Sequence, residues 1–415
     1  MSKTSFQIYS LGCKVNQYDA AVLRRALLQR GFKVGQNPEL VIINTCSVTH
    51  SAIAKDRQLI KKLRRSWPAA WLVIMGCWPE TDEKISTAVT DEKVIFWGVG
   101  QTEGLIKKIG EVIKNEQLNQ EKYFESGREG ELLAATDRSR YFLKIGDGCN
   151  QFCSYCLIPF ARGRLTSRSS AEIIKEAMAA TNAGYREIIL CGIHLGLYGT
   201  DKPGKEKDLV ALIQEVLKIK NLGRIRLSSI EITEVTPKLI KLMAKEKKIC
   251  RHLHISLQSG NDKILKLMNR PYTIKDFARV AATLRKAMPQ IAISTDIIVG
   301  FPGETTDDFM ATYNFAKKIN FSKIHVFSFS AHEKTRAYQM VGKVNPADIK
   351  ERSRELRALS EKLEKDYEKW ILNSYKKGDL PLVLEKGGGK KKRVKTEFGF
   401  DLLLDKKELN KNTLV

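Results

Sequence analysis

YFLKIGDGCNQFCSYCLIP, residues 141–159, sets Cys149, Cys153 and Cys156 at C-x3-C-x2-C spacing directly after an apolar, strand-like run. Three thiolates on one short loop is the telling number. A closed tetrahedral zinc site takes four ligands. A cubane iron–sulfur cluster has four irons, so three cysteines leave one iron free to bind something else. An open iron implies chemistry rather than a structural staple. On spacing alone, a zinc knuckle completed by a distant His or Cys stands as the alternative.

Working outward, six strand-like runs follow one another, mostly separated by helical patterns: 141–145, 187–191, 224–228, 253–256, 291–299 and 323–329, with helices expected over 170–183, 208–219, 236–246, 274–287 and 304–318. Six βα units predict a partial (β/α)6 TIM-type barrel, whose sites lie on the loops after the strands. The cysteine loop follows the first strand. Gly192 and His194 follow the second, Ser256, Gln258 and Ser259 the fourth, and Gly300, Phe301 and Pro302 the fifth. These segments are candidate pocket wall. His194 could equally be a polar loop residue. Arg162, Arg164 and Arg168, in ARGRLTSR, could grip a carboxylate or an RNA phosphate.

Residues 1–118 alternate strands (6–11, 40–44, 71–75, 93–97) with helices (17–30, 50–66 after Thr49 as N-cap, 102–114). This predicts a doubly wound parallel sheet. Cys13, Cys46 and Cys77 each fall one or two residues beyond a strand. The carboxyl ends of parallel strands share one edge, where such folds bind ligands. A second set of three thiolates is therefore expected, gathered by topology. Singly, each would read as a small buried residue, as Cys191 and Cys250 do. The polar stretch 119–138 reads as a connection.

The 415 residues carry 71 Lys+Arg against 47 Asp+Glu, a net charge of +24. That suits a polyanion such as RNA, although a solvated lysine surface gives the same count. The basic helix over 55–65 has the same two readings. No apolar run reaches membrane-spanning length, so no membrane partner is expected. Eight cysteines in so long a chain do not make a disulfide framework. Thiolate clusters need a reducing compartment, and no secretory h-region opens the chain, so we expect a cytoplasmic protein. A long charged helix over 346–375 precedes short strands around a basic turn, Lys390, Lys391, Lys392 and Arg393.

The chain resembles the radical S-adenosylmethionine (SAM) methylthiotransferases. SLGCKVNQYD, NTCSVT and MGCWPE resemble the family's amino-terminal domain, and GCNQFCSYCLIPFARGR, SLQSGNDKILKLMNRPYT and TDIIVGFPGET its core. The resemblance implies three domains: 1–118 with an auxiliary cluster, a radical SAM core over 135–370, and a TRAM-like RNA-binding β domain over 376–415. It implies two [4Fe–4S] clusters, one on Cys149, Cys153 and Cys156 that cleaves SAM, the other on Cys13, Cys46 and Cys77 that carries sulfur. Tyr155, Gly192, His194, Ser256, Gln258, Gly300, Phe301 and Pro302 would line the SAM pocket. The substrate would be tRNA, and the electron donor a flavodoxin or ferredoxin. GCKVNQYD most resembles the branch acting on threonylcarbamoyladenosine. Isopentenyladenosine in tRNA and a ribosomal-protein aspartate are the family's other substrates. The chain departs from the family in a carboxyl-terminal segment shorter than the usual ~60 residues, and in FSFSAHEKTRAYQM (327–340) after the sixth strand. A non-enzymatic zinc-containing RNA-binding protein, and a radical SAM enzyme whose second cluster only relays electrons, are the rival readings.

Replacing Lys390, Lys391, Lys392 and Arg393 by Ala should weaken tRNA binding and flatten its salt dependence by about 0.9 in log–log slope per lost duplex contact. Filter binding across a salt series measures both. An unchanged slope would remove this segment from the RNA surface.

Overall fold

A computed structural model describes residues 4–82, 85, 89, 91–113, 140–202, 204, 207–376, 382–384 and 391–405. The expected connection over 119–138 and Lys390 lie outside the described residues. Two compact units result. One comprises the residues up to 152 with 156–185 and 191–193; the other comprises 153–155, 186–190 and 194 onward.

In the first unit, β1 (Ser5–Ser10), β2 (Lys33–Val34), β3 (Leu40–Thr45), β4 (Trp71–Gly76) and β5 (Val94–Trp97) form an all-parallel sheet ordered β2-β1-β3-β4-β5. The two-residue edge strand β2 has too little apolar sequence to be foreseen. Side chains alternate between faces along each strand, and the core divides accordingly. Leu40, Ile42 and Val73 pack with Leu23 and Leu27 of helix α1 (Lys14–Gln29) and with Leu105, Ile106 and Ile109 of the helix Thr102–Val112. On the other face, Val41, Ile43, Leu72 and Ile74 pack with Ile60 and Leu63 of α2 (His50–Ser66) and Trp78 of α3 (Cys77–Thr81). Helices on both faces make the sheet doubly wound. Thr49 caps α2 as expected, accepting from the Ala52 N–H at 3.1 Å.

The same unit holds β6 (Arg140–Lys144), the short antiparallel pair β7 (Gly146–Asp147) and β8 (Thr166–Ser167), and the helices Ile158–Arg162 and Ser170–Asn182. Helix α1 packs against β6. A polar cluster joins them: the Tyr18 hydroxyl donates to Glu176 Oε2 at 3.0 Å, and Arg25 Nη1 donates to the Tyr141 hydroxyl at 3.0 Å. Arg168 Nη2 lies 2.8 Å from Glu176 Oε2. Burial, reinforced by the Glu176 carboxylate, raises the Tyr18 phenol above its usual range.

In the second unit, residues 187–190 of β9 (Glu187–Cys191) pair in parallel with β10 (Arg224–Leu227). The strands β11 (Ser229–Ile230), β12 (His252–Ile255), β13 (Ala292–Val299) and β14 (Lys323–Ser328) form a second parallel run. The helices Leu209–Leu217, Pro237–Lys245, Ile274–Ala287 and Thr306–Ile319 alternate with these strands, as the sequence predicts. The helix Asp262–Leu267 is an addition, capped by Asn261. The long helix Pro346–Lys376 covers β14, where Ser360 Oγ accepts from the Ile324 N–H at 3.0 Å and donates to the Ile324 carbonyl at 2.9 Å.

The carboxyl-terminal segment forms an antiparallel sheet of β15 (Leu382–Leu384), β16 (Lys391–Thr396) and β17 (Asp401–Asp405). Lys391, Lys392 and Arg393 are therefore strand residues, in register with Asp405, Leu404 and Leu403, rather than part of a turn. The turn after β16 docks on the strand starts of the barrel. Glu187 Oε2 and Oε1 accept from the Nε of Arg224 and Arg226, each at 2.7 Å. Arg226 Nη1 and Nη2 then donate to the carbonyls of Glu397 and Thr396 at 2.9 and 3.0 Å. Phe398, fully buried, meets Tyr367 and Trp370 edge-on.

Glu187→Gln would leave two buried guanidiniums facing a neutral amide. A loss of about 3–5 kcal/mol in urea unfolding is expected, the cost of breaking a buried ion pair from one side. A loss below about 1 kcal/mol, the surface-pair range, would contradict this role.

Candidate active site

Cys13, Cys46 and Cys77 follow the carboxyl ends of the neighbouring strands β1, β3 and β4. Gly12 and Gly76 make the approach feasible. Gly12 has φ +106°, and a Cβ there would lie 2.8 Å from the Cβ and 3.3 Å from the Sγ of Cys46. Gly76 has φ +101°, and its Cβ would meet Asn44 Oδ1 at 2.3 Å. Only glycine combines this backbone with this closeness. Cys13 then stands at the N-cap position of α1 without a side-chain bond to the helix, and Cys77 begins α3.

Asn16, fully buried, ties the loops together. Its Nδ2 donates to the Thr45 carbonyl at 2.8 Å, and its own carbonyl accepts from Asn44 Nδ2 at 2.8 Å. Its Oδ1 accepts from Cys13 Sγ at 3.2 Å. Burial pushes the Cys46 thiol up to about 12, and Cys77 and Cys13 add to the rise. Burial likewise lifts Cys77 to about 11, against Arg162, which favours its thiolate. The three sulfurs share one electrostatic neighbourhood.

Arg162 overturns one expectation. Its side chain is 0% exposed, so its guanidinium is not offered to RNA. Asp147 accepts from its Nη1 through both oxygens at 3.0 and 2.8 Å, and its Nη2 donates to Asn16 Oδ1 at 2.8 Å and Asp19 Oδ2 at 3.1 Å. Arg168 also serves packing, donating to the Lys144 carbonyl at 2.7 Å and to Tyr18 at 2.9 Å. Arg164 is exposed.

In the cysteine loop, the Cys149 N–H donates to the Gly163 carbonyl at 3.1 Å, and Cys149 Sγ accepts from the Gln151 N–H at 3.3 Å. In the second unit, Cys153 is 9% exposed and accepts at 3.2 Å from Nη1 of Arg270. Ser154 anchors the loop, donating through N–H to Met268 and through Oγ to Leu267 at 3.0 and 2.7 Å. Tyr155 stands edge-on to Phe301, with ring centroids 6.5 Å apart. Among the described residues, no group of three or more His, Cys, Asp or Glu surrounds one point closely enough for a single metal ion.

Residues 143–316 match the radical SAM superfamily, and residues 5–98 match the uncharacterized protein family UPF0004. The threonylcarbamoyladenosine tRNA methylthiotransferase MtaB of Bacillus subtilis (strain 168) is 38% identical over 86% of this chain and 81% of its own length. Its namesake in Chlamydia pneumoniae is 35% identical over 87% of this chain and 83% of its own length. The tRNA-2-methylthio-N(6)-dimethylallyladenosine synthase of Carboxydothermus hydrogenoformans is 31% identical over 95% and 91%. The chain belongs to the radical SAM methylthiotransferase family. Among solved structures, the radical SAM methyltransferase TsrM from Kitasatospora setae superposes with a TM-score of 0.57 at 16% identity, over 81% of this chain and 77% of that one, a likeness of fold.

As a family member, the enzyme uses SAM and a [4Fe–4S] cluster. Thiols in threes fit cubanes with an open iron. Of the expected SAM residues, His194 is buried, and its Nε2 is paired with Glu234. Gly192 packs on the backbone of Gly146. The Ser256 carbonyl accepts from the Tyr272 hydroxyl at 2.9 Å, and Gln258, at φ +65°, bonds through its N–H to the Asp296 carbonyl at 2.8 Å. Ser259 Oγ lies 3.2 Å from Thr312 Oγ1. The Gly300 N–H donates to Glu304 Oε1 at 2.9 Å; Phe301 and Pro302 are buried. Cys191 and Cys250 are 1% and 2% exposed and act as packing residues.

Sequence reasoning missed Arg270. Its Nη2 pairs with Glu231, which shares a capping box with Glu234, so one polar chain links Cys153 to His194. Burial raises the Glu231 carboxyl above its usual range, against the pull of Arg270. MNRPYT carries Arg270, but nothing local in that string signals a thiolate partner.

Gly12→Ala should lower the iron bound per chain, because its Cβ must displace Cys46. Gly31 has φ +87° but open space around it. Gly31→Ala should therefore cost only backbone strain, about 1 kcal/mol, with iron unchanged. Equal iron in both variants would remove close approach as the gathering device.

Proposed function

We propose that this enzyme places a methylthio group on C2 of N6-threonylcarbamoyladenosine beside the anticodon of tRNA, using two [4Fe–4S] clusters. The two-cluster reading is supported by the close approach of Gly12, beside Cys13, to Cys46 and by the placing of Cys77 at the end of the adjacent strand. The substrate branch rests on the MtaB relatives, at 34–38% identity against 31–32% for the dimethylallyladenosine synthases. An excess of 24 positive charges suits a tRNA partner.

An unactivated aromatic C–H bond is beyond ordinary acid–base side chains. Cofactors supply the radical and the sulfur, and the protein supplies position and exclusion of water. In this division Cys149, Cys153 and Cys156 anchor the SAM-cleaving cluster, and Arg270 favours the Cys153 thiolate. Tyr155, Gly192, His194, Ser256, Gln258, Gly300, Phe301 and Pro302 line the SAM pocket. Arg164 and the 390–393 segment are the RNA contacts. The domains follow the boundaries 1–118, 135–370 and 376–415. A flavodoxin or ferredoxin in the cytoplasm supplies electrons. Among the described residues, no helix is long and apolar enough to cross a membrane.

Mass spectrometry of tRNA nucleosides, from a host lacking its own enzyme with and without this gene, tests the assignment. The 2-methylthio derivative of threonylcarbamoyladenosine should appear with the gene. Appearance of 2-methylthio-isopentenyladenosine instead, or of a modified ribosomal protein alone, would overturn it.

A further inference from the structure

Arg162 has five N–H donors. Four contacts to Asp147, Asn16 and Asp19 occupy its two Nη groups. The fifth donor, Nε–H, is buried and has no partner at full hydrogen-bond geometry among the described residues, while the Cys77 thiol lies close enough to the guanidinium to interact with it. An orphaned buried donor costs about 1–3 kcal/mol, and more when charged. A fully enclosed guanidinium with an unused donor is an arrangement waiting for an acceptor.

The surroundings indicate which one. Asn16 Oδ1 accepts from both Arg162 Nη2 and Cys13 Sγ, so the guanidinium and that thiol share one oxygen. The short helix that Arg162 ends packs against α3, which Cys77 begins. Lys144 balances the local carboxylates, lying 2.5 Å from Asp19 Oδ1 and 3.1 Å from Asp147 Oδ2. Lys144 and Arg162 together match the two carboxylates, so the guanidinium is held in place by a charge-balanced cluster while its Nε–H is left over.

We propose that Arg162 is the positioning residue of the amino-terminal cluster: it donates to the sulfur of Cys77 or of the cluster, and its charge stabilises the reduced state. This rests on the reading that Cys13, Cys46 and Cys77 hold a cluster. Reduction adds negative charge, so a fixed cation beside the sulfur raises the potential, and its removal lowers it.

The test uses the full chain with Cys149, Cys153 and Cys156 changed to Ala, leaving the amino-terminal triad alone. After anaerobic reconstitution, about four irons per chain should bind. No iron here would defeat the two-cluster reading, not the role of Arg162. In that background Arg162→Gln should shift the reduced-to-oxidised ratio at least tenfold toward oxidised, about 59 mV for one electron, read by redox titration with electron paramagnetic resonance. Asp147→Asn, which disturbs the same network but keeps the cation, should leave the potential unchanged or raise it. Arg162→Lys should recover most of the loss. If Arg162→Gln does not fold, the charge-balanced Arg162→Gln/Asp147→Asn variant, with Lys144 still paired to Asp19, should show a smaller fall in the same direction, because the donor to the sulfur is lost. An unchanged potential without Arg162, or an equal fall in Asp147→Asn, would overturn the proposal.

Discussion

A parallel sheet delivers the carboxyl ends of its strands to one edge, and the amino-terminal half of this enzyme depends on how closely three of those ends approach. The loops that carry Cys13, Cys46 and Cys77 can approach because Gly12 and Gly76 lack the Cβ atoms that would strike Cys46 and Asn44. Asn16 then spends its amide on both sides of the gap, accepting from Cys13 and donating to Thr45. Packing on both faces of the sheet fixes the strands. The glycines and the asparagine convert that rigidity into a site. Side chains placed at strand ends and helix starts are held more precisely than side chains on loops.

Buried cations recur at the cysteines. Arg162 stands beside Cys77, and Arg270 donates to Cys153. Both are held by carboxylates, Asp147 and Asp19 in one case and Glu231 in the other. A thiolate in a desolvated setting is costly, and burial raises both Cys46 and Cys77. An adjacent guanidinium offsets part of that cost without competing as a ligand, since it has no lone pair to offer a metal. The net charge of +24 therefore includes arginines that serve the interior rather than RNA.

Much of this was legible in the sequence. Strand and helix periods gave both parallel architectures, and they placed Cys13, Cys46 and Cys77 at the carboxyl ends of neighbouring strands. Periodicity works there because each element buries a face. Arg162 was misread because ARGR looks like a phosphate grip, and its acceptor Asp19 lies far upstream in α1. Arg270 carried no signal for the same reason: Cys153 and Glu231 are distant in sequence. The strand character of Lys391–Thr396 was obscured by its charge, since pairing with Asp401–Asp405 is set by register rather than by local composition. Long-range polar pairing leaves little trace in a single chain.

In the proposed division of labour, the strand-end cysteines serve sulfur transfer, while the loop cysteines serve SAM cleavage. Scoring 5′-deoxyadenosine and methylthio product side by side for Cys46→Ala tests it most directly. SAM cleavage to 5′-deoxyadenosine should continue, with no methylthiolated nucleoside formed. Methylthiolation at the rate of the unaltered enzyme would contradict it.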